Sequence, residues 1–201
     1  EADVACFSFQ ETKTMTTGGE GGMVITDNEE IAEKCRTIRN HGFQYASSLS
    51  LCYNFRMTEI QAAFGLAQLK KFPAMLKLQT DNAEYIINHL PNGIHPPRIT
   101  NWSVPNWYII GCTYDEKEAG MPRAEFIDRM TKLGVNRSVP GGTVGPGYQL
   151  LIYDRPFFKD LKSECPNAES LKSRWLWLDI HRWREPEEVK KDVEIMHEVL
   201  R

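Results

Sequence analysis

The stretch Phe7-Ser-Phe-Gln-Glu-Thr-Lys13-Thr-Met-Thr-Thr-Gly18-Gly-Glu-Gly-Gly22 sets one lysine among five hydroxyl side chains (Ser8, Thr12, Thr14, Thr16, Thr17) and four glycines. On either side lie short apolar runs, Val4 to Phe9 and Gly22 to Thr26, rich in strand formers. The pattern predicts two strands joined by a tight loop. Glycines let a backbone approach a ligand closely and hydroxyls donate hydrogen bonds, so the loop suits an anion beside an amine. It is neither a dinucleotide fingerprint, since glycine is absent at the third position, nor a P-loop, since no Gly-Lys-Ser/Thr follows. A lysine held near a phosphate and partly desolvated can attack a carbonyl and form a Schiff base; without such surroundings it is a solvated loop residue.

After the second run, Asp27 or Asn28 caps a helix through Ile31, Cys35 and Ile38 that ends at Gly42, past the basic Arg39 and His41. Phe43 to Phe55 has no steady period and reads as a long loop. Thr58 with Gln61 forms a capping box for the next helix, and Ala62, Ala63, Leu66, Ala67 and Leu69 supply its packing face. Pro73 is expected to break that helix, with a second one running from Met75 to Leu90. A domain boundary is therefore placed near Pro73, giving residues 1–72 and 73–201.

The rest alternates in type. Strands are expected at Trp107 to Tyr114, Val135 to Val139 and Trp175 to Ile180, and helices at Pro122 to Leu133, Asn167 to Ser173 and Pro186 to Leu200. The last helix turns Val189, Val193, Met196 and Leu200 inward. Pro140 to Pro156 reads as a Gly/Pro/Tyr-rich loop. Together these make a small α/β domain with mixed strands. Trp175, Trp177 and Trp183 are expected to pack the core.

Composition narrows the function classes. With 41% hydrophobic and 25% charged residues and a net charge of −3, the chain is an ordinary globular one. A pI near 6.0 with no long basic run gives no electrostatic reason for nucleic acid or an anionic membrane as partner. Five cysteines without metal spacing read as reduced thiols in a cytoplasmic protein. His89, His95, His181 and His197 are scattered, and His41 is placed at a helix end facing the carbonyl dipole.

The order of residues is more specific. Ser-Phe-x-x-x-Lys13, then hydroxyls, then Gly-Glu-Gly-Gly22 and an apolar strand ending in Thr26-Asp27, resembles the lysine loop of the DegT/DnrJ/EryC1/StrS sugar aminotransferases. Arg39-Asn-His-Gly42, Asn54-Phe-Arg56-Met57-x-Glu59-x-Gln61-Ala-Ala63 and Gln68-Leu69 follow in that family's order, and Cys165-Pro-Asn-Ala-Glu169 continues it more thinly. The resemblance implies an α/β, fold-type-I pyridoxal-phosphate aminotransferase, present as its C-terminal half: the end of the large cofactor-binding domain over 1–72, then a connecting helix and the small domain over 73–201.

By the same resemblance, Lys13 bonds the cofactor, pyridoxal 5'-phosphate, and later moves the proton, while Ser8 bonds its phosphate. Gln10 stands near the ring where a histidine is usual. Asn54 reaches the phosphate from the neighbouring subunit of a homodimer, and Arg56 serves the same anionic region or pairs with Glu59. The implied reaction moves an amino group from glutamate or glutamine to a keto group of a nucleotide-linked sugar, or of a related aminocyclitol. Two rivals stand beside it: a dehydratase of the same family, whose members replace the lysine by histidine, and a non-catalytic truncated chain that keeps the dimer surface. The loop after Val139 is a candidate substrate contact.

Overall fold

The computed structural model describes residues 2–43, 51–135, 144–145, 151–158, 160, 164–180 and 184–201. Their contacts divide into two compact units, Glu1–Met75 and Leu76–Arg201.

In the first unit, β1 (Ala5–Ser8) and β2 (Gly22–Ile25) pair antiparallel, Ala5 opposite Ile25 and Ser8 opposite Gly22. Helix α1 (Glu29–Arg39) starts at Asn28, whose Oδ1 accepts the Ile31 N–H at 3.2 Å, so the cap falls on the second of the two expected residues. The helix ends at Arg39 with Asn40 as its C-cap, short of the expected Gly42; His41 takes the left-handed position after the cap at φ 60°, and Gly42, at φ +74°, donates its N–H to the Thr37 carbonyl at 3.0 Å. Loop residues 44–50 lie outside the described part. This unit buries little apolar surface of its own. Phe7, Met23, Val24 and Ile25 on the two strands are all about half exposed or more, at 45–54%.

Helix α2 (Glu59–Asn88) begins in the first unit and ends in the second. It does not stop at Pro73, contrary to the sequence expectation. Proline removes the hydrogen bond to the Leu69 carbonyl and crowds it, but both residues are exposed, so the freed acceptor is open to solvent and the helix can bend there. Ala, Leu, Lys, Met and Gln on either side carry the helix across the defect. The expected packing face is also corrected. Gly65 and Gln68 are buried, whereas Ala63, Leu66, Ala67 and Leu69 are exposed.

The core lies in the second unit. Its sheet has the order β3 (Ile94–His95), β4 (Ile109–Tyr114), β6 (Trp175–Asp179), β5 (Val144–Gly145). Among the described strands of this sheet every pairing is antiparallel, where the sequence reading expects mixed strands. Ile110, Cys112 and Tyr114 alternate inward on β4, and Leu176 and Leu178 on β6. Against that face pack Phe126 and Met130 of α4 (Arg123–Lys132), Val189, Val193, Met196 and Val199 of α6 (Pro186–Val199), and Ala83 and Ile86 of α2. Leu200 is only partly buried, because Val199 takes the inward position at the end of α6.

Between β4 and α4, Asp115 caps the one-turn helix α3 (Glu116–Ala119), accepting from Lys117 and Glu118 N–H. Helix α5 (Pro166–Arg174) leads into β6. Alternation puts Trp175 and Trp177 on the outer face, half-buried, while Trp107 joins the core; Trp183 lies outside the described residues. The Trp175 indole covers Gly111, where a side chain would collide with its ring. Of the expected strand Val135 to Val139, Val135 is buried coil and residues 136–139 lie outside the described part. The expected loop to Pro156 contains β5 and a 3₁₀ turn at Ile152–Asp154. Arg184 pairs with Asp192 at 2.5 Å, and its carbonyl accepts from Asn82 Nδ2 at 2.9 Å, tying α2 to α6. Burial pushes the Asp179 carboxyl above its ordinary range, partly offset by Arg184.

Because the proline defect is solvent-exposed, Pro73→Ala should stabilise the protein by up to about 3 kcal/mol, the usual cost of a proline inside a helix. Urea unfolding followed by far-UV circular dichroism checks this; an unchanged or lowered midpoint contradicts it.

Candidate active site

The strand pairing continues into the lysine loop. Phe9 N–H donates to the Gly21 carbonyl at 2.8 Å, Thr17 N–H donates to the Phe9 carbonyl at 3.0 Å, and Gln10 bridges to Gly19. The ends of the segment carrying Lys13 are thus tied together. Within it, Lys13 N–H donates to the Gln10 carbonyl at 2.9 Å, closing a turn. Gln10 Oε1 accepts from the Thr12 N–H at 2.9 Å and the Thr12 hydroxyl at 2.6 Å, and Ser8 Oγ accepts from the Gln10 N–H at 3.4 Å. Gln10 and Lys13 therefore share one turn, half-buried, and the exposed Ser8 at the end of β1 is joined to it through the Gln10 N–H.

The N-terminal turns of α2 hold this loop from one side. The capping box forms as the sequence indicates, with Gln61 Oε1 accepting the Thr58 N–H at 2.9 Å and Thr58 Oγ1 accepting the Gln61 N–H at 3.3 Å. Gln61 Nε2 then donates to the Glu20 carbonyl at 2.8 Å. One turn on, the space a side chain at Gly65 would need is taken by Thr17: a β-carbon there would lie 3.0 Å from Thr17 Cγ2. Gly65 costs the helix about 0.5–1 kcal/mol relative to alanine, so its presence marks this close approach. Phe64 lies over Gly18, itself at φ +80°. Thr16 and Thr17 are both buried. The sequence reading counted Thr17 among the loop hydroxyls but assigned no role to Gly65; a glycine inside an alanine-rich helix was the available signal.

Asn54 and Arg56 sit at a second station. Tyr53 N–H donates to the Ile38 carbonyl at 2.7 Å and Phe55 N–H to the Arg39 carbonyl at 2.9 Å, so the chain returns along the end of α1. The Arg56 guanidinium donates to Asn40 Oδ1 at 2.8 Å, and among the described residues it makes no ion pair with Glu59. Asn54 is exposed; its Oδ1 accepts from the Arg56 N–H at 3.5 Å, and its amide nitrogen makes no hydrogen bond among the described residues. No hydrogen bond within the chain joins Asn54 or Arg56 to Ser8, Gln10 or Lys13 among those residues.

A cavity of about 990 Å³ opens in the same unit, walled largely by apolar side chains such as Phe7, Val24, Ile25, Cys35 and Ile38, with Arg56 also lining it. Ser8, Gln10 and Lys13 do not line it. Among the described residues no group of three His, Cys, Asp or Glu could hold a metal ion. His95 pairs with Glu118 at 2.9 Å, and His197 Nε2 meets the His89 carbonyl at 3.0 Å; His181 is outside the described residues. His41 is exposed, with its ring 5.4 Å from that of Phe43. All five cysteines are free thiols, and no described helix is long and apolar enough to cross a membrane.

The fold is that of solved sugar aminotransferases. A structure of Helicobacter pylori PseC, described as an aminotransferase involved in the biosynthesis of pseudoaminic acid, superposes with a TM-score of 0.76 at 25% identity, over 99% of this chain and 53% of that one. The profile of the DegT/DnrJ/EryC1/StrS aminotransferase family matches residues 1–197, and the chain belongs to that family. A GDP-perosamine synthase from Vibrio cholerae is 34% identical over 122 residues, 57% of this chain and 32% of that protein. A GDP-4-keto-6-deoxy-D-mannose 3-dehydratase from Escherichia coli O55:H7 is 24% identical over 203 residues, 90% of this chain and 50% of its own length. The chain spans about half the length of the first curated relatives it matches.

Since Thr58 starts the turn that carries Gln61 to the lysine loop, Thr58→Ala should cost about 0.5–2 kcal/mol, the range for a lost N-cap. It should also speed amide exchange at Glu59–Gln61. Urea titration and hydrogen exchange read the two effects; exchange at wild-type rates contradicts the assigned cap.

Proposed function

We propose that the chain carries the cofactor-bonding lysine of a pyridoxal-phosphate-dependent aminotransferase. The reaction moves an amino group from glutamate or glutamine to a keto group of a nucleotide-linked sugar or related cyclitol. The observation that carries this reading is Lys13 at the centre of a loop closed by the Phe9–Thr17 hydrogen bond, in a chain matched by the family profile almost end to end.

The donor set fits a phosphorylated aldehyde. It comprises a primary amine at Lys13, an exposed hydroxyl at Ser8, amides at Gln10 and Asn54, and a guanidinium at Arg56. Lys13 would hold the cofactor covalently, Ser8 would donate to its phosphate, and Gln10 would lie near its ring. When bound, pyridoxal phosphate supplies the electron sink for the amino transfer. The protein binds and orients it, and the Lys13 amine takes and returns the proton at the reacting carbon. Gln10 does not titrate, so it can orient a neighbour but cannot share that proton.

Asn54 is assigned to the cofactor phosphate of a second copy in a homodimer. Its exposed side chain, whose amide nitrogen makes no hydrogen bond among the described residues, supports this. Five cysteines without metal spacing support a cytoplasmic protein. The dehydratase relative keeps a second reading open, in which no amino donor is consumed. Lys13 argues for transfer, because the family resemblance puts histidine at this position in dehydratases.

Lys13→Arg keeps the charge but removes the primary amine, so it should abolish covalent cofactor attachment and amino transfer in the complete protein. Borohydride reduction with pyridoxal phosphate, then peptide mapping, tests this; label on a different lysine contradicts it. Asn54→Ala should weaken cofactor binding by about 1–3 kcal/mol, the range for hydrogen bonds to charged groups. Mixed with Lys13→Ala subunits it should regain activity, since one site of the mixed dimer is intact; no recovery after confirmed subunit exchange refutes the shared site.

A further inference from the structure

We propose that Thr17 is the positioning residue of the lysine loop, seated by its methyl group against Gly65 of α2. The inference deepens the reading of Lys13 as the cofactor-bonding amine and rests on it. Thr17 is 3% exposed, and each part of it is engaged. Its N–H donates to the Phe9 carbonyl at 3.0 Å, the bond that closes the loop around Lys13. Its hydroxyl donates to the Glu20 carbonyl at 3.0 Å and fills the space that a side chain at Gly21 would enter. Its methyl group fills the space at Gly65. One side chain thus references the end of β1, the approach to β2 and the face of α2 at once.

Lys13 lies four residues before Thr17, inside the closed segment, so a shift of Thr17 moves the backbone from which the amine extends. Gly65 has no conformational reason to be glycine, since it sits in ordinary helix and not in the left-handed region. What it supplies is absence of volume. Alanine there would suit the helix better yet press on Thr17, and packed interiors transmit such pressure because they have little free space. Stability and placement of the amine should therefore move in different directions, which separates a positioning role from a merely structural one.

The test uses the complete protein with four variants: Thr17→Ser, Thr17→Val, Gly65→Ala, and the double variant Gly65→Ala/Thr17→Ser. Lys13 reactivity is read by peptide mass in two ways: trinitrobenzenesulfonate without cofactor, and limiting pyridoxal phosphate with borohydride, which leaves a pyridoxyl group fixed on the amine. Gly65→Ala should change the trinitrobenzenesulfonate rate and lower pyridoxyl labelling by up to about tenfold, within the loss expected for sub-ångström misplacement, while the melting temperature holds or rises. Removing the methyl in the double variant should bring both rates back to within about twofold of wild type, because only the colliding atom has gone. Thr17→Val, which keeps the methyl and loses the hydroxyl, should resemble Gly65→Ala, and Thr17→Ser alone should resemble wild type. Unchanged Lys13 reactivity in Gly65→Ala, or no recovery in the double variant, overturns the positioning role. If reactivity shifts and recovers but wild type takes no pyridoxyl label on Lys13, Thr17 stands as the positioning residue and the cofactor reading falls instead.

Discussion

The hydrogen bond from Thr17 N–H to the Phe9 carbonyl is the constraint on which the functional part of the molecule depends. Without it, residues 10–16 would be a polar loop whose ordering costs about 1–2 kcal/mol of backbone entropy per residue. One such bond does not offset that. The burial of Thr16 and Thr17, the Gln61 clamp on Glu20 and the Thr17 methyl against Gly65 act in the same place, so the loop is ordered from outside. The lysine's setting is therefore a property of α2 as much as of its own loop.

The two units are stabilised differently. The second closes an antiparallel sheet over α4, α6 and the end of α2, with Phe126, Ile110, Leu176 and Val193 in one core. The first has a two-stranded sheet whose apolar side chains remain half exposed, and its best-buried side chains are the threonines Thr37, Thr17 and Thr16. A two-stranded pair is marginal by itself in water. The lysine turn stands on this thinner unit, where polar contacts and close backbone approach, more than apolar burial, set the geometry.

One buried polar atom is left over by that arrangement. Gln68 follows Gly65 by three residues on the same helix face, is 8% exposed, and its Oε1 has no hydrogen-bond partner among the described residues. Gln61, Gly65 and Gln68 thus form one polar or bare stripe on a helix whose other faces expose Ile60, Leu66 and Leu69. This stripe differs from the alanine and leucine face read from the sequence. Small and apolar residues mark where a helix can pack; they do not say which side its own chain occupies.

Local chemistry was legible in the residues themselves. Asn28 and the Thr58–Gln61 pair cap their helices because capping is decided within four residues. Alternation on β4 and the inward period of α6 follow from geometry repeated along one element, and the lysine loop showed itself as hydroxyls and glycines between two strand patterns. Tertiary structure decided the rest. Helix α2 crosses Pro73 because the defect faces water, and Trp175 leaves the core because Leu176 and Leu178 hold the inner face while Gly111 opens a seat outside. Arg56 turns to Asn40, sixteen residues away, and Thr17 finds Gly65 across a gap of forty-eight; the glycine marks a close approach but does not name the residue that makes it. Contacts between residues distant in sequence depend on which surfaces meet, and a linear pattern that specifies each surface does not specify the meeting.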